Sequence, residues 1–355
     1  MKRGSGKIKI LLTFDHELPL GGIYTDFNDA LFKPTDELIR TANDLKVPIN
    51  LFTDVLAYDK FKSVNRTDYT APYQDQLRRA IGEGHDVQLH LHPHWIDTII
   101  DGYKFNTSDQ YALGNFVNEV ADRSLLSIVK NGVSTLMELI GSSSYRCVAF
   151  RAGGYALSPA PEEVISALLQ SGLKIDSSIS AGYYFDSNIS KVDFTKVPAK
   201  ANWYLSNDGN FSKEGHSGLY EIPIPSINKT LLEIPTFVKM RFLKHRIPAN
   251  RGYMIHASPI KPRLADRLKK IQSTRMLTFD NYTYSKGYLM RILDNHIKQY
   301  LGEEDMYLSA IGHPKSMGAY SLELFSEFVQ KARNKYGSQV EFVTFQDVAK
   351  ELKTL

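Results

Sequence analysis

The sequence predicts a parallel α/β fold, because short apolar strands alternate with amphipathic helices along most of its length. The residues best suited to chemistry also collect where those strands end, which is where parallel barrels and open parallel sheets build their sites. No linker or internal repeat divides the 355 residues. One domain covering 1–355 is therefore expected, with a less regular decorating region at about 182–285.

The elements follow in order. Lys7 to Phe14 alternates and then runs apolar through Ile8, Ile10, Leu11 and Leu12, the pattern of a buried strand. Asp36 to Leu45 sets Leu38, Ile39, Ala42 and Leu45 on one helical stripe, and Val47 to Phe52 reads as a second strand. A helix over Gln74 to Ile81 is stopped by Gly82 and Gly84, and a third strand, Asp86 to Leu91, is ended by Pro93. A helix from about Phe116 to Ile140, a strand from Cys147 to Phe150, a helix from Pro161 to Gln170 and a short strand from Leu173 to Asp176 continue the pattern. Leu219 to Ile224, Tyr307 to Ile311 and Val340 to Val343 are further strands, separated by helices near Tyr288 to Tyr300 and Leu322 to Tyr336.

Composition narrows the function classes. With 43% hydrophobic and 23% charged residues the chain is an ordinary globular protein, neither disordered nor fibrous. A net charge of +4 and a pI near 8.8 are only mildly basic and do not point to nucleic acid. The single cysteine, Cys147, rules out an internal disulfide and a cysteine-based zinc site. Met1-Lys2-Arg3-Gly4 leads directly into the first strand without an apolar signal core, and no apolar run is long enough to span a bilayer, so a cytoplasmic location is expected.

Two clusters carry chemistry. Four of the ten histidines lie between His85 and His94, and His90 and His94 have a spacing that can turn two imidazoles toward one ion across a strand end. Asp15-His16-Glu17 ends the first strand, where an acid can serve as a general base beside a metal. In extended backbone Asp15 and Glu17 point to one side and His16 to the other.

Together with three later segments, these clusters resemble the polysaccharide deacetylase family, also known as carbohydrate esterase family 4 or the NodB-homology fold. The segments are Thr13-Phe14-Asp15-His16, Gly84-His85-Asp86 leading to His90 and His94, Arg151-Ala152-Gly153-Gly154-Tyr155, Asp176-Ser177-Ser178, and Ile311-Gly312-His313-Pro314. The resemblance spans residues 7 to about 350 and implies a distorted parallel (β/α) barrel with long loop insertions. It also implies Asp15 as catalytic base, Arg151 as its orienting partner, His313 as the acid protonating the leaving amine, and Asp176 as the group tuning His313. His90 and His94 correspond to ligands of a divalent metal, zinc or a similar ion such as cobalt. The family's metal carboxylate directly follows the base, where this chain has His16. Both Glu17 and His16 stay open as third ligand, with strand geometry favouring Glu17. His92 is an extra histidine, open to a place beside the metal or to substrate contact; it, Trp95, Gly154 and Tyr155 are candidate substrate-binding residues, and a backbone N–H near Gly154 or Tyr155 would contribute to an oxyanion hole.

The function implied is removal of an N-acetyl or similar acyl group from an amino sugar, as in the preparation of a surface-polysaccharide precursor. One alternative is hydrolysis of another non-peptide C–N bond, without a metal. Another is a carbohydrate-binding protein that has lost catalysis. From Lys239 to Arg275 eleven basic residues face a single acid, Asp266. That run reads either as a solvated face or as a contact for an anionic partner such as a sugar phosphate.

Overall fold

The computed structural model describes residues 5–19, 22–23, 26–187, 190–230, 233–242, 274–280 and 284–353. Its centre is a curled, mostly parallel sheet of ten strands: β1 (Ile8–His16), β2 (Asn50–Asp54), β3 (Asp86–Leu91), β4 (Ala149–Ala152), β5 (Ile175–Asp176), β6 (Trp203–Leu205), β7 (Tyr220–Glu221), β8 (Met306–Gly312), β9 (Val340–Phe342) and a two-residue edge strand, Glu214–Gly215, beyond β6; only β6 runs antiparallel to the rest. Neighbours run in the order β6-β7-β5-β4-β3-β2-β1-β8. β9 pairs with the first half of β1, Ile8 to Ile10, and β2 with its second half from Thr13 onward. Asn50 splices the two, donating to the carbonyls of Leu12 and Val343 and accepting from the Phe345 amide.

The sheet closes on itself at a seam between β7 and β8. The Ser309 amide donates to the Pro223 carbonyl at 3.1 Å, and Asn202 bonds both the amide and the carbonyl of Tyr307 at 2.9 Å. Higher up, the segment 277–280 lies alongside β8: the Phe279 amide donates to the Ile311 carbonyl and the Ile311 amide to that of Leu277. A distorted barrel results.

Every residue of β1 is buried, because helices cover its outer face and the barrel lumen takes its inner one. Ile10, Leu12 and Phe14 join the large outer core shared with helices such as α1 (Lys33–Leu45), α2 (Val55–Ser63), α3 (Thr67–Gly82) and α4 (Leu125–Ile140). Leu11 faces a smaller cluster with Phe52, Ile175, Ile222 and Tyr307, which the C-terminal helix α9 (Phe345–Glu351) caps through Phe345, Val348 and Ala349. Between α4 and that last helix lie α5 (Pro161–Gln170), α6 (Ile234–Arg241), α7 (Tyr288–Tyr300) and α8 (Ala319–Tyr336). The lumen is thus apolar at one end and polar higher up, at Thr13, Ser177 and Ser309, with Asp15 above them.

The sequence reading is corrected in places. Val55–Ser63 is a helix, and α3 begins at Thr67, well before Gln74, carrying Pro72 inside it. The helix expected from Phe116 begins only at Leu125, capped by the Ser124 hydroxyl, after two short 3-10 turns. Most of the basic run, residues 243–273, lies outside the described residues.

Candidate active site

The site lies at the C-terminal ends of the barrel strands. Past Thr13, β1 turns Asp15 into the lumen and His16 outward, as its period of two requires. Arg151, fully buried on β4, donates from Nη1 to Asp15 Oδ1 at 2.7 Å. Its other donors go to Thr13 Oγ1 and to the hydroxyl and carbonyl of Ser177, and its guanidinium lies over the Phe52 ring. Burial, the largest single influence, would raise the Asp15 pKa, but the Arg151 charge, together with His90 when it is protonated and with His313, outweighs it and holds the carboxyl well below its usual range.

Parity also decides the histidines. His90 and His92 sit two apart at the end of β3 and turn the same way. His90 Nδ1 lies 2.7 Å from the Arg151 carbonyl, which can only accept, so Nδ1 carries the proton and neutral His90 presents a lone pair at Nε2. That Nε2 is 3.4 Å from Glu17 Oε2, and His92 Nε2 contacts the same oxygen. Glu17, His90 and His92 are all buried, with ligand atoms within 4.8 Å of one another. Glu17 Oε2, His90 Nε2 and His92 Nε2 have no hydrogen-bond partner among the described residues. Three buried ligand atoms gathered this closely without hydrogen-bond partners fit a bound cation. Lys315 Nζ holds the other Glu17 oxygen at 2.8 Å. Burial would raise the Glu17 pKa, but His92 and Lys315 hold it well below the carboxylate range.

His313 completes the wall, with Nε2 3.3 Å from Asp15 Oδ2 and 3.6 Å from Glu17 Oε1. Its Nδ1 donates to Asp280 Oδ2 at 2.6 Å, and its amide to Asp280 Oδ1 at 2.7 Å. Burial would lower the His313 pKa; the charge of Asp280 and the bonds to Asp15 and Asp280 outweigh it and push it up to about 10.

Several expected roles move. His16 is not brought to the metal candidates. Its Nδ1 and Nε2 bond Thr53 Oγ1 and Gln76 Oε1 at 2.9 and 2.8 Å behind the sheet, and burial keeps it neutral with a pKa of about 4. His94 is not in the Glu17–His90–His92 group either, since Pro93 turns the chain into a 3-10 helix and breaks the alternation. Its ring stacks on Tyr111 at 4.8 Å, and burial lowers its pKa. Trp95 is buried against Phe61, Phe105 and the His94 ring. Asp176 does not touch His313. It accepts from the amide and hydroxyl of Ser178 at 3.0 and 2.8 Å beside buried Glu221, whose pKa is raised first by burial and then by the Asp176 charge. Asp280 fills the place expected of Asp176. Gly154 and Tyr155 follow Arg151 in a turn where both have positive φ, 57° and 63°, a strained geometry for tyrosine. Burial and the Asp15 charge keep the Tyr155 phenol protonated. Gly153 is a close approach, because a Cβ there would lie 2.6 Å from the Leu91 carbonyl oxygen and 2.8 Å from His92 Nδ1.

Three residues escaped the sequence reading. Asp280 ends Thr278-Phe279-Asp280, a second copy of the Thr-Phe-Asp in β1 that carried a usable signal. Lys315 lies two residues beyond His313. Asp54, at the end of β2, accepts from the His92 amide at 3.2 Å, and burial raises its pKa despite His92 and His90.

No family model and no curated protein sequence matches the chain. Solved structures do. A candidate glycoside hydrolase/deacetylase from Parabacteroides distasonis is 10% identical, covering 99% of this chain and 72% of its own, with a TM-score of 0.55. A candidate polysaccharide deacetylase from Mycobacterium smegmatis is 12% identical, covering 99% and 92%, with a TM-score of 0.49. A family 4 carbohydrate esterase from Streptomyces lividans, solved with acetate, is 10% identical, covering 96% and 93%, with a TM-score of 0.38. The fold is that of the polysaccharide deacetylases, a distorted (β/α) barrel of the NodB type, in a divergent form. Among the described residues, no helix is long and apolar enough to cross a membrane.

Proposed function

We propose that the protein is a metal-dependent hydrolase that removes an N-acetyl or similar acyl group from an amino sugar, as in making a surface-polysaccharide precursor. The observation that carries this reading is the juxtaposition of Asp15, held by Arg151, and His313, held by Asp280, beside Glu17 Oε2, His90 Nε2 and His92 Nε2, which have no hydrogen-bond partner among the described residues. A divalent cation held by Glu17, His90 and His92, zinc or one like it, would acidify water and polarise the acyl oxygen.

The chain's own groups supply the rest. Asp15 is anionic, its Oδ1 is fixed by Arg151, and its Oδ2 faces the site to take a proton from the attacking water. His313 carries its proton at Nε2 and delivers it to the departing amine nitrogen, while Asp280 fixes the ring. The Gly154–Tyr155 turn and the Tyr155 hydroxyl are the donors for charge developing on the acyl oxygen.

Lys315 favours a second reading, in which its ammonium beside Glu17 serves in place of a metal for hydrolysis of another non-peptide C–N bond. Chelation separates the readings. Loss of deacetylation with chelator and recovery with zinc or cobalt supports the first. Hydrolysis that ignores chelator but requires Asp15 supports the second. Saturable sugar binding with no turnover, unchanged in Asp15→Asn, refutes both and leaves a binding protein.

A further inference from the structure

A cavity of about 590 Å³ opens on the outer flank of the barrel seam, between the strand around Trp203, the chain after β7 and the last turns of α7. That volume is in the range of small-molecule sites, roughly 300–1,000 Å³. None of Asp15, Glu17, His90, His92 or His313 lines it.

Two of its lining residues have polar atoms with no partner among the described residues. Trp203 is 4% exposed and its Nε1 finds no acceptor there; His296 is 6% exposed and its Nε2 finds no hydrogen-bond partner there. A buried polar atom left unpaired costs about 1–3 kcal/mol, so each demands a complement that the described protein does not supply. An indole N–H only donates, so it needs an acceptor; a neutral imidazole nitrogen takes either role. Burial brings the His296 pKa down to about 4, so it is uncharged at neutral pH.

The rest of the lining selects the ligand class. Asn228, Asn295 and Gln299 offer amides that both donate and accept. The charges there are already matched: Glu233 pairs with Arg291 and takes a hydrogen bond from Tyr288, and Lys200 pairs with Glu214 at 2.5 Å. A charged ligand would have to compete with these pairs. Pro198, Pro223 and Pro225 add apolar surface. We infer that this seam cavity is a second binding site, separate from the candidate active site, for a neutral ligand with closely spaced hydroxyls and an apolar face, namely a pyranose unit of an oligosaccharide. The inference does not depend on the proposed hydrolysis.

The two tryptophans allow a direct test, since Trp203 lines the cavity while Trp95 packs on His94 beside the candidate active site. The full chain labelled with 5-fluorotryptophan gives two ¹⁹F signals, assigned with Trp203→Phe. Maltotriose, tri-N-acetylchitotriose, glucose 1-phosphate and inorganic phosphate are titrated in turn. The Trp203 signal is expected to shift saturably with at least one neutral trisaccharide and to stay fixed with phosphate. His296→Leu is expected to weaken that binding about tenfold, the effect of one hydrogen bond. A Trp203 signal unmoved by both trisaccharides overturns the proposal, whatever the Trp95 signal does. So does an equal response to inorganic phosphate, or unchanged affinity in a folded His296→Leu protein. If that variant does not fold, the wild-type titration still decides.

Discussion

Replacing Asp280 with Asn leaves one of its two bonds to His313 and reverses the other. Oδ1 still accepts from the His313 amide at 2.7 Å, but an amide nitrogen now faces the Nδ1–H that the carboxylate accepts at 2.6 Å. Two donors cannot share that contact, so the ring must move or change tautomer. A hydrogen bond to a charged group is worth about 1.5–3 kcal/mol, which predicts a fall of roughly ten- to a hundredfold in kcat/KM. The charge matters as well. With a raised pKa, His313 holds its proton at low and neutral pH and loses it as pH rises through about 10. Asp280→Asn removes the largest raising influence, so the basic limb of kcat/KM should move down by at least about one pH unit. The assay is kcat/KM against pH on an N-acetylated amino sugar, with the His313 pKa followed by NMR. Asp176→Asn is the control and should leave the His313 pKa in place. Wild-type rate and basic limb in Asp280→Asn, or a shifted His313 pKa in Asp176→Asn, would refute the reasoning.

Other predictions follow from particular contacts. Burial raises the Asp59 pKa from 3.8 to about 6, so its contribution to stability is present below pH 3.8 and lost as pH rises through 6. Asp59→Asn should therefore stabilise the protein by about 1–2 kcal/mol at pH 7.5, after allowance for partial exposure, and by nothing near pH 4; urea unfolding at both values checks this. Gly153→Ala should cost about 10- to 100-fold in activity and about 1–3 kcal/mol of stability, because its Cβ would push on His92 Nδ1 and on the buried Leu91 carbonyl of the central sheet. Wild-type turnover in that variant would show that the His92 position is not critical. His16 has a folded pKa near 4 against 6.5, so its share of stability is complete above pH 6.5 and falls away between 6.5 and 4. A His16→Phe protein should lose that part of the acid dependence, as seen in unfolding curves at pH 7 and 5.

Much of the barrel was legible because its strands are nearly continuous apolar runs closed by glycine or proline. Asp86–Leu91, Pro161–Gln170 and Tyr288–Tyr300 fall where periodicity placed them. Val55–Ser63 was not legible, since its buried Val55, Ala57, Tyr58 and Phe61 follow the strand without a break in composition. In the site, alternation along β1 distinguished Glu17 from His16. The same rule applied to β3 would have chosen His92 over His94, because Pro93 ends the strand before His94 is reached. The repeated Thr-Phe-Asp marked Asp280, but not the place it takes in the fold. It arrives beside His313 through a parallel bridge between Thr278 and Ile311, a long-range pairing that no local pattern announces.

The central claim is that Glu17, His90 and His92 form a metal site next to Asp15, and metal content by elemental analysis tests it most directly. Protein purified without chelator and supplied with zinc should hold one ion per chain. Glu17→Gln, His90→Gln and His92→Gln should each lose it, while His16→Phe and His94→Gln keep it. No stoichiometric ion in the wild type, or an ion that survives His92→Gln and is lost in His94→Gln, would contradict the account.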